Sequence, residues 1–174
     1  MGRLIVSTQM TLDGVIDVGE WYVAEGEHDA AGKKQLTDAS AVLLGRKTYE
    51  GLAAYWSPLH DEWANLINPI PKYVASRTLH GTLEWNSTLL AGDAADAVSS
   101  LKGELASDLV VYGCGEFARS LLVATLVDEF RFWVHPAVWG SGTRPFEGDA
   151  QNRLQLLGSE TFDSGVTLLR YAPV

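Results

Sequence analysis

Short apolar segments alternate with helix-like segments along most of the chain, and this alternation limits the possible folds more than any other feature. The segments at residues 41–44, 72–76 and 108–112 are each the length of one buried strand. Apolar residues recur at helical spacing between them, as in residues 94–105, which follow the good N-terminal cap Asp93. Parallel strands joined by crossover helices are covered on both faces. The pattern therefore predicts an α/β fold with a mixed, mostly parallel sheet and helices on both sides.

The two ends of the chain add further strands. Residues 4–9 predict a first strand, and residues 154–162 and 166–171 flank a turn at residues 163–165, which predicts a closing antiparallel hairpin. The other predicted elements are helices at residues 29–39, 48–54 and 117–124, strands at residues 87–90 and 129–135, and mostly loop at residues 17–28 and 55–71. No repeat, linker or low-complexity tract divides the 174 residues, so a single domain over residues 1–174 is expected.

The charge balance and the cysteine count exclude several classes of function. The net charge is −9, so a broad footprint on nucleic acid is excluded, and any bound anion must be held by a few local cations. The single cysteine, Cys114, cannot form an internal disulfide or a cysteine-rich zinc site, and the four histidines lack ligand spacing, so no metal is expected. No apolar run approaches the ~20 residues that cross a bilayer, and residues 1–10 do not resemble a signal peptide. A cytoplasmic protein without a membrane partner is expected.

One predicted strand opens directly onto two cations and a hydroxyl, in the segment VLLGRKTYEG at residues 42–51. A helix that starts there presents unpaired N–H groups and a partial positive charge, which both favour an anion. Gly45 permits close approach of the backbone, Arg46 has the forked geometry that suits a phosphate, and Thr48 offers a hydroxyl. The alternative is that Arg46 and Lys47 are solvated and that Thr48 caps the helix.

A second loop carries paired glycines between a predicted strand and a predicted helix. In VVYGCGEFARSLL, residues 110–122, the residues Gly113, Gly115 and Ala118 match the pattern G-x-G-x-x-A. This pattern, in this context, suits a pyrophosphate at the start of a helix. The alternative is a tight turn that needs glycine for a positive φ.

A third loop, VASRTL at residues 74–79, ends a strand with Ser76 and Arg77, for which a solvated arginine is the alternative. Together the three loops offer two cationic strand ends and one glycine turn, which is the set that a pyrophosphate and an adenosine 2′-phosphate would use. Arginines and hydroxyls stand where a ribose-binding acid would stand in an NADH site, so the expected cofactor is NADPH.

Five segments, in their order and spacing, are much more specific than any single motif. They are MTLDGVID (10–17), VLLGRKTYEG (42–51), KYVASRTL (72–79), VVYGCGEFARSLL (110–122) and VDEFRFWVHPAVWGSGTRPF (127–146). On these segments the chain resembles the dihydrofolate reductase-like superfamily. It is most similar to stand-alone relatives of the reductase domain of the bifunctional riboflavin-biosynthesis deaminase/reductase. The resemblance implies a three-layer sandwich and hydride transfer from NADPH to a small heterocycle, such as 5-amino-6-(5-phosphoribosylamino)uracil.

The resemblance also implies roles for individual residues. It implies cofactor contacts for Gly45, Arg46, Lys47, Thr48, Ser76, Arg77, Gly113, Cys114, Gly115, Glu116 and Phe117. It implies contacts near the nicotinamide or the substrate for Thr8, Met10, Trp139 and Gly140. The single cysteine departs from the bifunctional enzyme, whose deaminase half needs a zinc site with cysteines, so only the reduction is expected.

Two aspartates are candidate catalytic residues. Asp29 lies sixteen residues before Gly45, an offset similar to that of the carboxylate that holds the pterin ring in dihydrofolate reductases. Its surroundings, EGEHDAAGKK, lack the usual hydrophobic pattern of that helix, so a helix cap is the alternative. Asp13 precedes Gly14, and a turn residue is its alternative. The proton that follows the hydride would come from a carboxyl group such as Asp29 or from water.

Other side chains leave further alternatives open. Lys33, Lys34 and Arg144 are candidates for a second cationic pocket that would hold a substrate phosphate, with surface charge as the alternative. Trp133 and Trp139 could line a flat pocket for a ring. The segment EFRFWV is either an interface for a homodimer or a core strand. A dihydrofolate reductase and a nucleotide-binding relative without catalysis are the alternative functions.

Overall fold

The computed structural model describes residues 2–147 and 151–174, and within these ranges eight strands form one sheet flanked by five helices. The strands are β1 (Leu4–Thr11), β2 (Ala39–Gly45), β3 (Lys72–Ala75), β4 (Ser87–Leu89), β5 (Asp108–Tyr112), β6 (Glu129–His135), β7 (Leu154–Thr161) and β8 (Thr167–Pro173). The helices are α1 (Gly26–Thr37), α2 (Arg46–Trp56), α3 (Glu62–Ile67), α4 (Ala94–Glu104) and α5 (Glu116–Val123).

The strand order across the sheet is β4-β3-β2-β5-β1-β6-β8-β7. The first six strands of this order run parallel to one another, whereas β8 is antiparallel to β6 and forms the closing hairpin with β7. The mixed, mostly parallel α/β sheet with an antiparallel C-terminal hairpin, as predicted from the sequence, is confirmed.

Alternation along the strands divides the core into two layers of side chains. On β1, Leu4 and Val6 point to one face, where they pack with α4 and α5 through residues such as Leu121. On the opposite face of the sheet, Val42 and Leu44 of β2 pack against α1, α2 and α3. These contacts produce the expected three-layer sandwich. The longest described helix has 12 residues, and no described helix is long and apolar enough to cross a membrane.

The sequence predictions were wrong about several helix boundaries. Residues 55–71 are not mostly loop, because α2 continues to Trp56 and Asp61 caps the short helix α3 by accepting from the Ala64 amide at 2.8 Å. Helix α1 begins at Gly26, so Asp29 lies within its first turn and does not cap it. Helix α2 begins at Arg46, two residues before Thr48, so Thr48 is not its cap.

The aromatic strand EFRFWV is β6, which lies between β1 and β8 inside the sheet. Phe130 is fully buried and Trp133 is 2% exposed. The interface alternative for this segment is therefore wrong, and a homodimer would need a different surface. Trp133 donates its indole N–H to Ser7 Oγ and stacks on Phe162, so it belongs to the core and does not line a ligand pocket.

Candidate active site

The three loops predicted to hold phosphates follow three adjacent strands at one edge of the sheet. Strands β3, β2 and β5 are parallel neighbours, so the loops that follow their carboxyl ends lie side by side. Gly45 pairs in register with Ala75, so Arg46 and Ser76 are the first residues after these two neighbouring strands. In open parallel sheets this edge is where ligands bind.

Direct contacts join the three loops. The guanidinium Nη2 of Arg77 donates to the carboxylate Oε1 of Glu116 at 3.2 Å, which connects the loop after β3 to the start of α5. Gly113 has φ +90°, and a Cβ placed on it would lie 3.5 Å from the hydroxyl oxygen of Thr48. A Cβ on Gly45 would lie 3.4 Å from Cβ of Phe117. The predicted phosphate-binding residues are therefore assembled into one continuous region.

The helices that start in this region lack side-chain caps. The N-cap residues of α2 and α5 are Gly45 and Gly115, and neither helix start has a capping hydrogen bond from its N-cap side chain. By contrast, Asp61 and Asp93 cap α3 and α4. The uncapped amides of α2 and α5 can donate to a bound anion.

The first turn of α2 has an unfavourable charge for a helix start. It contains Arg46 and Lys47 and no acidic residue, whereas the helix dipole favours anions at this position. Arg46 is partly compensated by Glu50 one turn later, with 2.9 Å between guanidinium and carboxylate, and Lys47 is exposed. Cations in the first turn of a helix are unfavourable for folding. Such a local departure, beside two other polar loops, is typical of a functional site.

Two side chains of the glycine turn point away from the predicted ligand. Cys114 is buried in the core formed by α5 and the sheet, and burial raises the pKa of its thiol to about 12. Phe117 packs against the same core. Only the backbone of Cys114 is therefore placed to face a cofactor, and its thiol is not poised as a nucleophile.

Asp13 joins two loops that are far apart in the sequence. Its carboxylate accepts from the amides of Trp139 and Gly140 at 3.0 and 2.7 Å and from the Thr11 hydroxyl at 2.6 Å. These donors, first the Thr11 hydroxyl, hold the pKa of Asp13 well below its usual range. An ionised carboxylate with three donors has no proton to give, so the geometry favours a positioning role for Asp13 over that of a catalytic acid.

Asp17 makes a second connection between these loops, which the sequence analysis did not anticipate. Its carboxylate accepts from the Thr143 amide at 2.6 Å, and the Ile16 amide donates to the Thr143 carbonyl at 3.0 Å. A Cβ on Gly142 would lie only 2.6 Å from Val15 Cγ1, so only glycine fits this approach. In the sequence, Asp17 is one carboxylate in a loop without periodicity. Local sequence cannot connect it with Thr143, which is 126 residues away along the chain.

The end of β1 has a free backbone edge beside the glycine turn. β1 pairs with β5 only from Leu4 to Ser7, and the Gly113 amide then donates to the Ser7 carbonyl at 3.0 Å. Within the described residues, the Thr8 and Met10 positions pair only with β6. Backbone groups alternate in direction along a strand, so Gln9, like Ser7, directs its N–H and C=O towards this gap, where they can bind a polar ligand. The contacts of Thr8 and Met10 with the nicotinamide or the substrate remain a prediction.

Asp29 is held by two donors between α1 and α3. Its Oδ1 accepts from the indole N–H of Trp63 at 2.6 Å, and its Oδ2 lies 2.8 Å from Nζ of Lys33. Lys33 also pairs with Glu62 at 2.6 Å, and Asp29 and Glu62 raise the pKa of Lys33. Each oxygen of this carboxylate has one of its two acceptor sites occupied, so the other two sites can accept from a further donor such as a substrate N–H.

Aromatic side chains surround Asp29, and the sequence analysis did not group them. Burial, followed by the nearby charge of Asp29, raises the pKa of Tyr22 to about 12. Tyr55 meets Trp56 edge to face at 4.8 Å between ring centres, and Trp56 lies 6.3 Å from Trp63. These rings offer flat apolar surfaces between the first three helices. The missed helix α3, which carries Trp63, explains why this group was not recognised.

His135 is a structural residue that lies between the end of β6 and the loop before α1. It is buried, its Nε2 lies 2.7 Å from Oε1 of Gln9, and burial together with His28 lowers its pKa to about 4. The rings of Trp21 and Tyr22 pack on it at 5.1 and 5.3 Å between centres. A neutral His135 therefore anchors the loop that leads into α1.

The second cationic pocket predicted for a substrate phosphate does not form. Lys33 is engaged by Asp29 and Glu62, Lys34 pairs with Asp38 at 2.6 Å, and Arg144 donates to two carbonyls of its own loop. The three cations are thus committed to separate partners. In residues 2–147 and 151–174, no three His, Cys, Asp or Glu side chains are grouped to hold a metal ion.

Comparisons with known proteins agree with this geometry. The RibD C-terminal domain family matches residues 3–168. The uncharacterized protein YyaP of Bacillus subtilis is 29% identical over 180 residues, which cover 97% of this chain and 94% of YyaP. The structure of a putative riboflavin biosynthesis protein from Shewanella sp. PV-4 has a TM-score of 0.80 at 20% identity and covers 99% of both chains. Acinetobacter baumannii RibD has a TM-score of 0.66 at 17% identity, covering 100% of this chain and 58% of that one. The two solved structures share the fold of this chain.

Proposed function

This chain belongs to the RibD C-terminal domain family, within the dihydrofolate reductase-like superfamily, and from that premise we propose that it is an NADPH-dependent reductase of a small heterocyclic or aminopyrimidine substrate. The family relation supports a reductase-type oxidoreductase with the fold found in riboflavin biosynthesis. The observation that carries the choice of cofactor is the convergence of three phosphate-suited loops at the carboxyl edge of β3, β2 and β5.

The residues present suit a phosphorylated dinucleotide. In this proposal, Ser76 and Arg77 hold the 2′-phosphate, because the Arg77 side chain is 90% exposed and its one partner within the described part of the chain is an exposed carboxylate. The uncapped amides at the starts of α2 and α5 bind the pyrophosphate, with Arg46 and Lys47 beside them. The net charge of −9 makes such a local group of cations necessary for binding a polyanion.

The bound cofactor would supply a hydride from C4 of its nicotinamide. The free backbone edge of β1 between Thr8 and Met10 orients the nicotinamide end, and the two joined loops limit the access of water. Trp139, whose side chain is half exposed, flanks this end, while its amide and that of Gly140 are occupied by Asp13. We propose that water delivers the proton, because the carboxylate of Asp29 already has two donors.

Calorimetric titration with NADPH and with NADH tests the proposal. The wild-type protein should prefer NADPH, and Arg77→Gln should weaken NADPH about 10- to 100-fold while leaving NADH within about threefold, since one charged hydrogen-bonding group is lost. Lys34→Gln also removes one positive charge, but near the amino ends of the strands and away from the site, and it serves as the matched control. Equal affinity for both cofactors in the wild type would contradict the site assignment.

Turnover distinguishes the alternatives. Oxidation of NADPH, followed by absorbance, should depend on an aminopyrimidine substrate. Efficient reduction of dihydrofolate would instead identify a dihydrofolate reductase, in which the remaining acceptor sites of the Asp29 carboxylate would hold the ring. Tight binding of NADPH without turnover of any ring substrate would indicate a nucleotide-binding relative without catalysis.

A further inference from the structure

We propose that Glu116 is a specificity-determining residue that restrains the preference of this site for NADPH over NADH. The inference rests on the proposed function and concerns the same site. NADPH is the expected cofactor because arginines and hydroxyls stand where a ribose-binding acid would stand in an NADH site. The structure nevertheless places an acidic side chain on one of these arginines, because Glu116 Oε1 lies 3.2 Å from Nη2 of Arg77.

The Arg77–Glu116 pair can open at little cost. The side chains are 90% and 76% exposed, and exposed ion pairs contribute little to stability because water screens them. The carboxylate of Glu116 therefore takes the position on Arg77 that a 2′-phosphate would take. A cofactor with that phosphate must displace Glu116, whereas NADH can leave the pair intact.

Glu116 also adds a repulsive charge that depends on the cofactor. It is the first residue of α5, beside the amides proposed to bind the pyrophosphate, which both cofactors carry. Only NADPH places an additional phosphate, with about two negative charges at neutral pH, next to Arg77. A carboxylate facing that phosphate across one guanidinium in water reduces affinity on the order of tenfold. Glu116 therefore weakens NADPH selectively and keeps NADH competitive.

The test compares Glu116→Gln with the wild type by calorimetric titration of both cofactors. The Kd for NADPH should fall about tenfold, the Kd for NADH should stay within about threefold, and the gain should shrink at 1 M salt because ions screen the repulsion. The matched control is Asp38→Asn, which also removes one negative charge from an exposed pair, with Lys34, near the opposite edge of the sheet. Both cofactor affinities should be unchanged in this control.

Two results would overturn the inference while leaving the proposed function in place. An equal change for both cofactors would show that Glu116 does not read the 2′-phosphate. Weaker binding of NADPH alone would show that Glu116 positions Arg77 and does not compete for it. If the wild-type protein binds neither cofactor, the proposed function fails and the inference fails with it. Thermal melting by circular dichroism verifies that the exposed substitution leaves the fold intact.

Discussion

Replacing Lys72 with methionine should change how the free energy of unfolding depends on pH. The Lys72 side chain is 1% exposed at the start of β3. Its ammonium donates to the carbonyls of Asn68 at 3.1 Å and Ile70 at 2.8 Å and lies 4.2 Å from the ring centre of Trp85. No carboxylate among the described residues lies within ion-pair distance of it. Burial therefore lowers its pKa to about 8.

The sign of the effect follows from proton binding. In the unfolded chain the amine keeps its ordinary pKa of 10.5, so between pH 8 and pH 10.5 the unfolded chain binds a proton that the folded protein has released. Raising the pH across this window therefore increases the free energy of unfolding. The gap between these two pKa values, at about 1.4 kcal/mol per pH unit, corresponds to about 3 kcal/mol.

Urea unfolding followed by circular dichroism between pH 7 and pH 10.5 measures this effect. The raised pKa values of Cys114 and Tyr22 act in the opposite direction, but they are common to both proteins and cancel when Lys72→Met is subtracted from the wild type. The difference should grow in favour of the wild type by about 3 kcal/mol across the window. Lys34→Met removes an exposed amine as the control. A difference that stays constant or shrinks with pH would refute the reasoning.

Three further predictions concern the site and its loops. In the folded protein at pH 8, Cys114 should not react with a thiol reagent, because burial raises its pKa to about 12, and rapid labelling before unfolding would contradict this. Asp13→Asn should speed hydrogen exchange at the amides of Trp139 and Gly140. Since donors lower the pKa of Asp13, the wild-type loop should loosen only at strongly acidic pH, and unchanged exchange in the variant would refute the connection. Asp29→Asn should leave the pH profile of kcat unchanged, because two donors already hold this carboxylate; loss of a limb of the profile would make it the proton donor.

The order of elements was predictable because it rests on local patterns. The apolar strand before Gly45 and the capped helix after Asp93 both carry their signals within about ten residues. Helix α3 was missed because prolines at 58, 69 and 71 flank it. Since proline breaks helices, the whole segment 55–71 was predicted to be mostly loop. A helix of six residues has fewer than two turns, which is too short to show a helical hydrophobic period. Asp61 was nevertheless a recognisable N-cap residue.

The sequence predicted which loops form the candidate site, because these loops follow the ends of predicted strands. Parallel strands place their carboxyl ends at one edge, so the loop positions followed from the predicted topology. Which side chains face inward did not follow, and Cys114 and Trp133 are both buried where a ligand contact was considered. The pairing of Arg77 with Glu116 joins positions 39 residues apart, and no local pattern predicts such a contact.

The position of β1 at the centre of the sheet has a consequence for cotranslational folding. Its partners are β5 and β6, which begin at Asp108 and Glu129. A ribosome that adds about 5–20 residues per second needs on the order of 5–20 s to make the first partner. During this interval neither partner of β1 is available for pairing. Strands β2 and β3, which pair with each other, are complete before β5, whereas β1 can join the sheet only after its partners β5 and β6 have been synthesised.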